Sequence, residues 1–134
     1  MMIEDRNLFG DGPYPATGPL AALARLAFLL SAAGIVFAVY APPPLDPHFA
    51  RSHNVEHFAA FYVAALFGLA ALPRARLRNV GAGYIIFATL LEALHLLRGL
   101  PIQFLVASWT ADLGGLAAAA APVVIERFRR RLRR

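Results

Sequence analysis

Four long apolar stretches, separated by short breaks rich in proline and arginine, limit what this chain can fold into. They cover residues 20–41, 55–72, 80–97 and 109–128. Each has about the length that a helix needs to cross roughly 30 Å of hydrocarbon. Because 59% of the 134 residues are hydrophobic, little remains for a separate soluble domain. We therefore predict an all-α fold, a four-helix transmembrane bundle.

The segments outside these stretches are polar or charged. Residues 1–19 carry acidic side chains and prolines, so we expect a polar N-terminal tail rather than a secretory signal with a basic start. The transmembrane domain is predicted over residues 20–128, with residues 102–107 lying along the membrane interface before the fourth span. Residues 129–134 form a basic C-terminal tail.

The arginines predict the orientation of the bundle. The connection after the second span carries Arg74, Arg76 and Arg78, whereas the other two connections carry only Arg51 and Arg98. Since basic loops stay on the cytoplasmic side, we expect both termini in the cytoplasm of a bacterium and the protein in its inner membrane. Basic residues next to an apolar helix favour anionic lipid over nucleic acid as a partner. The predicted lipid and interface contacts are Arg98, Arg127, Arg129, Arg130, Arg131, Arg133 and Arg134.

Rows of small residues recur at helical spacing in each span, and small faces let membrane helices approach closely. We expect these rows to be the packing faces of the bundle. They are Ala27, Ser31, Gly34 and Ala38 in the first span, Ala60, Ala64 and Gly68 in the second, Gly81 and Ala88 in the third, and Gly115 and Ala119 in the fourth.

Four ionisable residues interrupt the apolar spans. Glu92 and His95 lie close to the outer end of the third span, and His57 and Asp112 lie at the corresponding ends of the second and fourth. An ionisable group in hydrocarbon is costly and by default indicates a functional site. Because each shares a helical stripe with small residues, we predict that His57, Glu92, His95 and Asp112 form one polar pocket open to the periplasm. For Glu92 and His95 this stripe runs through Gly81, Ile85 and Ala88.

The residues around this pocket leave its chemistry open. The four groups can pin the helices together, bind a ligand or headgroup, or supply metal ligands or acid–base groups. The absence of cysteine excludes thiolate chemistry. We assign no metal or cofactor here and expect a non-enzymatic role. The outer loop is expected to place Asp46, His48, Arg51, His53 and Glu56 directly above the pocket, with His48 and His53 solvated. Gln103 and Trp109 are expected to lie at the membrane interface.

The polar pattern resembles that of the VanZ-like family of small bacterial membrane proteins. His57-Phe58 followed by Tyr62 resembles the family's His-Phe and downstream Tyr, and Glu92-x-x-His95 resembles its Glu-x-x-Gln, with His in place of Gln. Asp112 followed by Gly115 resembles the start of its fourth helix. The resemblance implies a role at the cell envelope, where the founding member is linked to glycopeptide resistance.

Two functions from different classes follow. The first is a VanZ-like envelope protein whose pocket binds a headgroup or a partner, with lipids, including anionic lipids, around it. The alternative is an accessory subunit of a larger inner-membrane complex, in which small-residue faces pack against helices of other membrane subunits.

Overall fold

The structure, a computed structural model, describes residues 19–40, 52–72 and 75–134. In these ranges the chain forms four helices and no strands: α1 (Pro19–Tyr40), α2 (His53–Ala71), α3 (Leu77–Leu97) and α4 (Ile102–Leu132). All four are long and apolar enough to cross a membrane. The predicted all-α, four-helix architecture is confirmed. The N-terminal tail, Arg74 and the loop residues Asp46, His48 and Arg51 lie outside the described residues.

The fourth helix differs from its predicted bounds. It begins at Ile102 and is continuous to Leu132, so residues 102–107 are its first turns rather than a separate interfacial segment. The physical reason is that Leu105 and Ser108 lie on the same buried face as Asp112, so burying the first turns favours one continuous helix. The basic tail is also mostly helical.

The four helices run alternately up and down. Helix α2 packs mainly against α4 and α1, and α3 packs mainly against α4. At one end of the bundle the last turns of α1 and α3 lie beside the first turns of α2 and α4. Arg98 there donates a hydrogen bond to the Val39 carbonyl oxygen at 2.7 Å, and the His53 ring stacks on Phe104. We call this the site end.

Small residues set the closest helix contacts. Gly115 lies so near α2 that an added Cβ would overlap the Phe58 carbonyl oxygen. Gly68 lies under the Tyr84 ring, whose hydroxyl donates a hydrogen bond to the Ala64 carbonyl oxygen. The small-residue faces predicted for α2 and α4 are therefore confirmed at these contacts.

The predicted packing faces of α1 and α3 are only partly confirmed. Gly34 and Gly81 have no atom within 4 Å of an added Cβ, and Ile85 is 43% exposed. In α3 the buried stripe runs instead through Val80 and Tyr84 to Ala88 and beyond. A row of small residues marks a helix face that can pack closely, but it does not show which face has a neighbour.

Trp109 lies at the contact between α3 and α4. Its ring is half-buried, and its indole Nε1 donates a hydrogen bond to Thr89 Oγ1 at 3.1 Å. Trp109 therefore connects α4 to α3. Gln103 is exposed on the first turn of α4.

Candidate functional site

A short polar contact between side chains joins His57 of α2 to Asp112 of α4. His57 Nδ1 lies 2.7 Å from Asp112 Oδ1, and the Asp112 side chain is fully buried. The close approach of Gly115 to Phe58 explains this contact, because Asp112 lies one turn before Gly115 and His57 directly precedes Phe58. The backbone packing of α2 on α4 thus positions the pair.

Helix α3 adds Glu92 and His95 to the same place. Both are buried, and His95 Nδ1 lies 3.2 Å from Glu92 Oε2. The other carboxylate oxygen, Glu92 Oε1, lies 3.8 Å from His57 Nδ1. The structure thus brings together all four residues predicted for the pocket, and we call His57, Glu92, His95 and Asp112 the polar cluster.

Two carboxylate oxygens of the polar cluster remain without a hydrogen bond. Neither Glu92 Oε1 nor Asp112 Oδ2 has a hydrogen-bond partner among the described residues, and both atoms are buried. Ser108 Oγ, one turn before Asp112, is also buried and has no hydrogen-bond partner among the described residues. A buried carboxylate is costly unless a cation or hydrogen-bond donor compensates it. The polar cluster therefore retains capacity for a further donor or a positive ion.

A cavity of about 680 Å³ lies beside the polar cluster at the site end. His57 and His95 both line it. Since each ring holds a carboxylate through Nδ1, Nε2 is the nitrogen left for a molecule in the cavity. The full lining comprises Gly34, Ile35, Ala38, Val39, His53, Glu56, His57, Ala60, Phe61, His95, Arg98, Leu100 and Phe104.

The cavity wall is apolar on one side and charged at its rim. Helix α1 contributes only apolar residues to the lining, whereas Arg98 brings a guanidinium from the end of α3. Arg98 also lies over the Tyr40 ring, at 5.7 Å from its centroid. Its observed partners are therefore at the end of α1.

His53 and Glu56 were missed as site residues. The sequence placed His53 in a solvated loop, but it is the first residue of α2 and its ring centroid lies 4.3 Å from that of His57. Glu56 is buried and lines the cavity. A signal was present, because Ser52 is a favoured residue type at a helix N-cap and His53 and His57 are four residues apart, on one helix face.

The arginines predicted to contact lipid headgroups cluster mostly at the opposite end of the bundle. Glu126 forms ion pairs with two of them: Arg130 Nε lies 3.0 Å and Arg129 Nη1 lies 3.7 Å from its carboxylate oxygens. Arg98 is the exception, since it lies at the site end.

Comparisons of the chain with protein-family models, curated protein sequences and solved structures find no match. The polar cluster and the cavity are therefore the features from which a function is inferred.

Proposed function

We propose that this chain is a VanZ-like multi-pass protein of the bacterial inner membrane that binds an anionic lipid-linked headgroup in the cavity at the site end. The observation that carries the proposal is the cavity lining, which combines three imidazoles, an arginine and one glutamate with an apolar wall. A molecule with a charged head and an acyl tail matches both parts of this lining.

The charged rim supports an anionic headgroup. The hydrogen bond to Val39 uses one of the five N–H donors of Arg98, so other donors of the guanidinium remain for a phosphate or carboxylate. The Nε2 atoms of His57 and His95 are further donors when protonated. The apolar residues of α1, among them Ile35 and Val39, provide the surface for an acyl chain.

The charge distribution supports a periplasm-facing site. The sequence has Arg51 between α1 and α2 and Arg98 between α3 and α4, whereas it has three arginines between α2 and α3 and six after Glu126. The cytoplasmic side of a membrane protein has the excess of arginine, so the site end faces the periplasm in this proposal.

The VanZ-like assignment is part of the proposal. It is supported by the positions of the residues that carry the resemblance, because His57, Glu92 and Asp112 lie on three helices and meet in one cluster. These three residues are distant in the sequence, carry the resemblance to the family, and lie together in the structure.

The test compares a cavity-filling variant with a matched control. Gly34 lines the cavity and Gly81 does not, and an added Cβ at either position meets no atom within 4 Å. We expect Gly34→Leu to lose bound lipid while Gly81→Leu retains it. The measurement is mass spectrometry of the lipids and proteins that remain with each variant after extraction in native nanodiscs.

Equal lipid retention by both variants would contradict the proposal. Stoichiometric recovery of other membrane subunits, with no specific lipid, would instead favour the accessory-subunit function. One observation points in that second direction: Ala21 is the only residue of α1 that is buried, so most of this helix is available to lipid or to partner helices.

A further inference from the structure

The polar cluster has the composition and geometry of a cation site. His57 of α2, Glu92 of α3 and Asp112 of α4 each offer one ligand atom, and these atoms lie within 4.8 Å of one another. We propose that these three residues bind a divalent transition-metal ion, with zinc as the probe. The proposal goes beyond the headgroup site, because it concerns the polar cluster and does not require a lipid in the cavity.

The unpartnered oxygens provide the second observation. Glu92 Oε1 and Asp112 Oδ2 are buried without a hydrogen bond among the described residues, although each belongs to a side chain more than nine-tenths buried. Two carboxylates so placed need positive charge nearby. A divalent ion bound by the two carboxylates supplies that charge, with Glu92 Oε1 as one of its ligand atoms.

The distances require only small adjustments. In a tetrahedral site with bonds of about 2.1 Å, neighbouring ligand atoms lie about 3.4 Å apart. His57 Nδ1 is 2.7 Å from Asp112 Oδ1 and 3.8 Å from Glu92 Oε1. To reach that separation the first pair must open by about 0.7 Å and the second must close by about 0.4 Å. On binding, the ion takes the place of the proton on Nδ1, which is released.

The ligand types select the class of ion. One imidazole nitrogen with two carboxylate oxygens suits zinc and other first-row divalent ions, whereas calcium and magnesium prefer oxygen ligands alone. Three protein ligands leave one tetrahedral position for water or for another molecule, as in zinc sites that are not purely structural.

His95 has a positioning role in this arrangement. Its Nδ1 lies 3.2 Å from Glu92 Oε2, the oxygen directed away from the ion. A hydrogen bond from the imidazole to that oxygen fixes the orientation of the carboxylate. Such outer partners typically change metal affinity by roughly 10–100-fold when removed.

The experiment measures zinc binding to the full chain in detergent, purified with a tag that contains no histidine and stripped with a chelator. Competition against a fluorescent zinc chelator gives the affinity, and elemental analysis gives the stoichiometry. We expect one zinc per chain, bound more tightly than calcium or magnesium. Asp112→Asn and Glu92→Gln should each weaken binding by more than the roughly 100-fold expected for an outer partner.

Glu126→Gln is the control, because Glu126 is a carboxylate at the opposite end of the bundle and lies outside the three-residue group. It should retain zinc affinity within about threefold, a change far below the loss typical of an outer partner. Asp112 and Glu92 lie on different helices, and the elution profile of each variant establishes that it is folded. Wild-type binding by folded Asp112→Asn and Glu92→Gln variants would overturn the proposal, as would an equal loss in Glu126→Gln or the absence of saturable binding.

Discussion

Gly115→Ala tests the contact that positions the polar cluster. An added Cβ would overlap the Phe58 carbonyl oxygen and lie 2.9 Å from the Tyr62 backbone nitrogen. Both atoms belong to the backbone of α2, so no side chain can move aside. The two helices must separate by roughly 1 Å to restore ordinary van der Waals distances.

The expected cost follows from two opposing effects. Overpacking of a close contact costs about 1–3 kcal/mol. Replacing glycine by alanine inside a helix returns up to about 1 kcal/mol. We therefore expect Gly115→Ala to lower the free energy of unfolding by about 1–2 kcal/mol.

Gly81→Ala is the matched control, because its Cβ meets no atom within 4 Å. It should be neutral or slightly stabilising. Unfolding in mixed micelles of mild and denaturing detergent, followed by circular dichroism, measures both variants. If Gly115→Ala is as stable as Gly81→Ala, the backbones of α2 and α4 are not in the described contact, and the account of how His57 meets Asp112 is wrong.

Three further predictions concern other contacts and the orientation. Tyr84→Phe removes the hydrogen bond to the Ala64 carbonyl oxygen and should cost about 1 kcal/mol of unfolding free energy; an unchanged unfolding curve would count against that bond. Trp109→Phe and Thr89→Val, combined in a double-mutant cycle, should show a coupling of about 0.6 kcal/mol between the indole and the hydroxyl, and additive effects would mean that the pair does not interact. The chain has no cysteine, so single cysteines report the topology without background: Gln103→Cys should react with an impermeant thiol reagent added outside spheroplasts and Ala75→Cys should not, whereas the reverse pattern would invert the orientation.

The sequence predicted the architecture because the length of an apolar stretch is physically tied to the thickness of a membrane. The placement of the polar residues at one level followed from the same reasoning. In the predicted spans His57, Glu92 and Asp112 each fall near an end, and alternating helix directions bring those ends together.

Other features could not be read from the sequence. Lipid tails and the protein interior are equally apolar, so the hydrophobic pattern does not separate the inner face of α3 from its outer face. For this reason Ile85 was assigned to the inner face, although it lies on the outer face. The fourth span was predicted to begin at Trp109, whereas α4 is one continuous helix from Ile102 that buries Leu105 and Ser108 in its first turns. Gly34 appeared to be a packing residue and instead lines the cavity. The pairing of ring nitrogens with carboxylate oxygens depends on three helices at once, and no spacing within one segment specifies it.

The most direct test of the central claim is native mass spectrometry of the protein released from nanodiscs, comparing the wild type with Arg98→Gln. Arg98 lines the cavity and lies at the end of α3, outside the helix core. The account predicts that the wild type retains an anionic lipid that survives release and that Arg98→Gln loses it while remaining folded. A wild-type chain that carries no lipid, or a variant that retains the same lipid to the same extent, would contradict a headgroup site in this cavity.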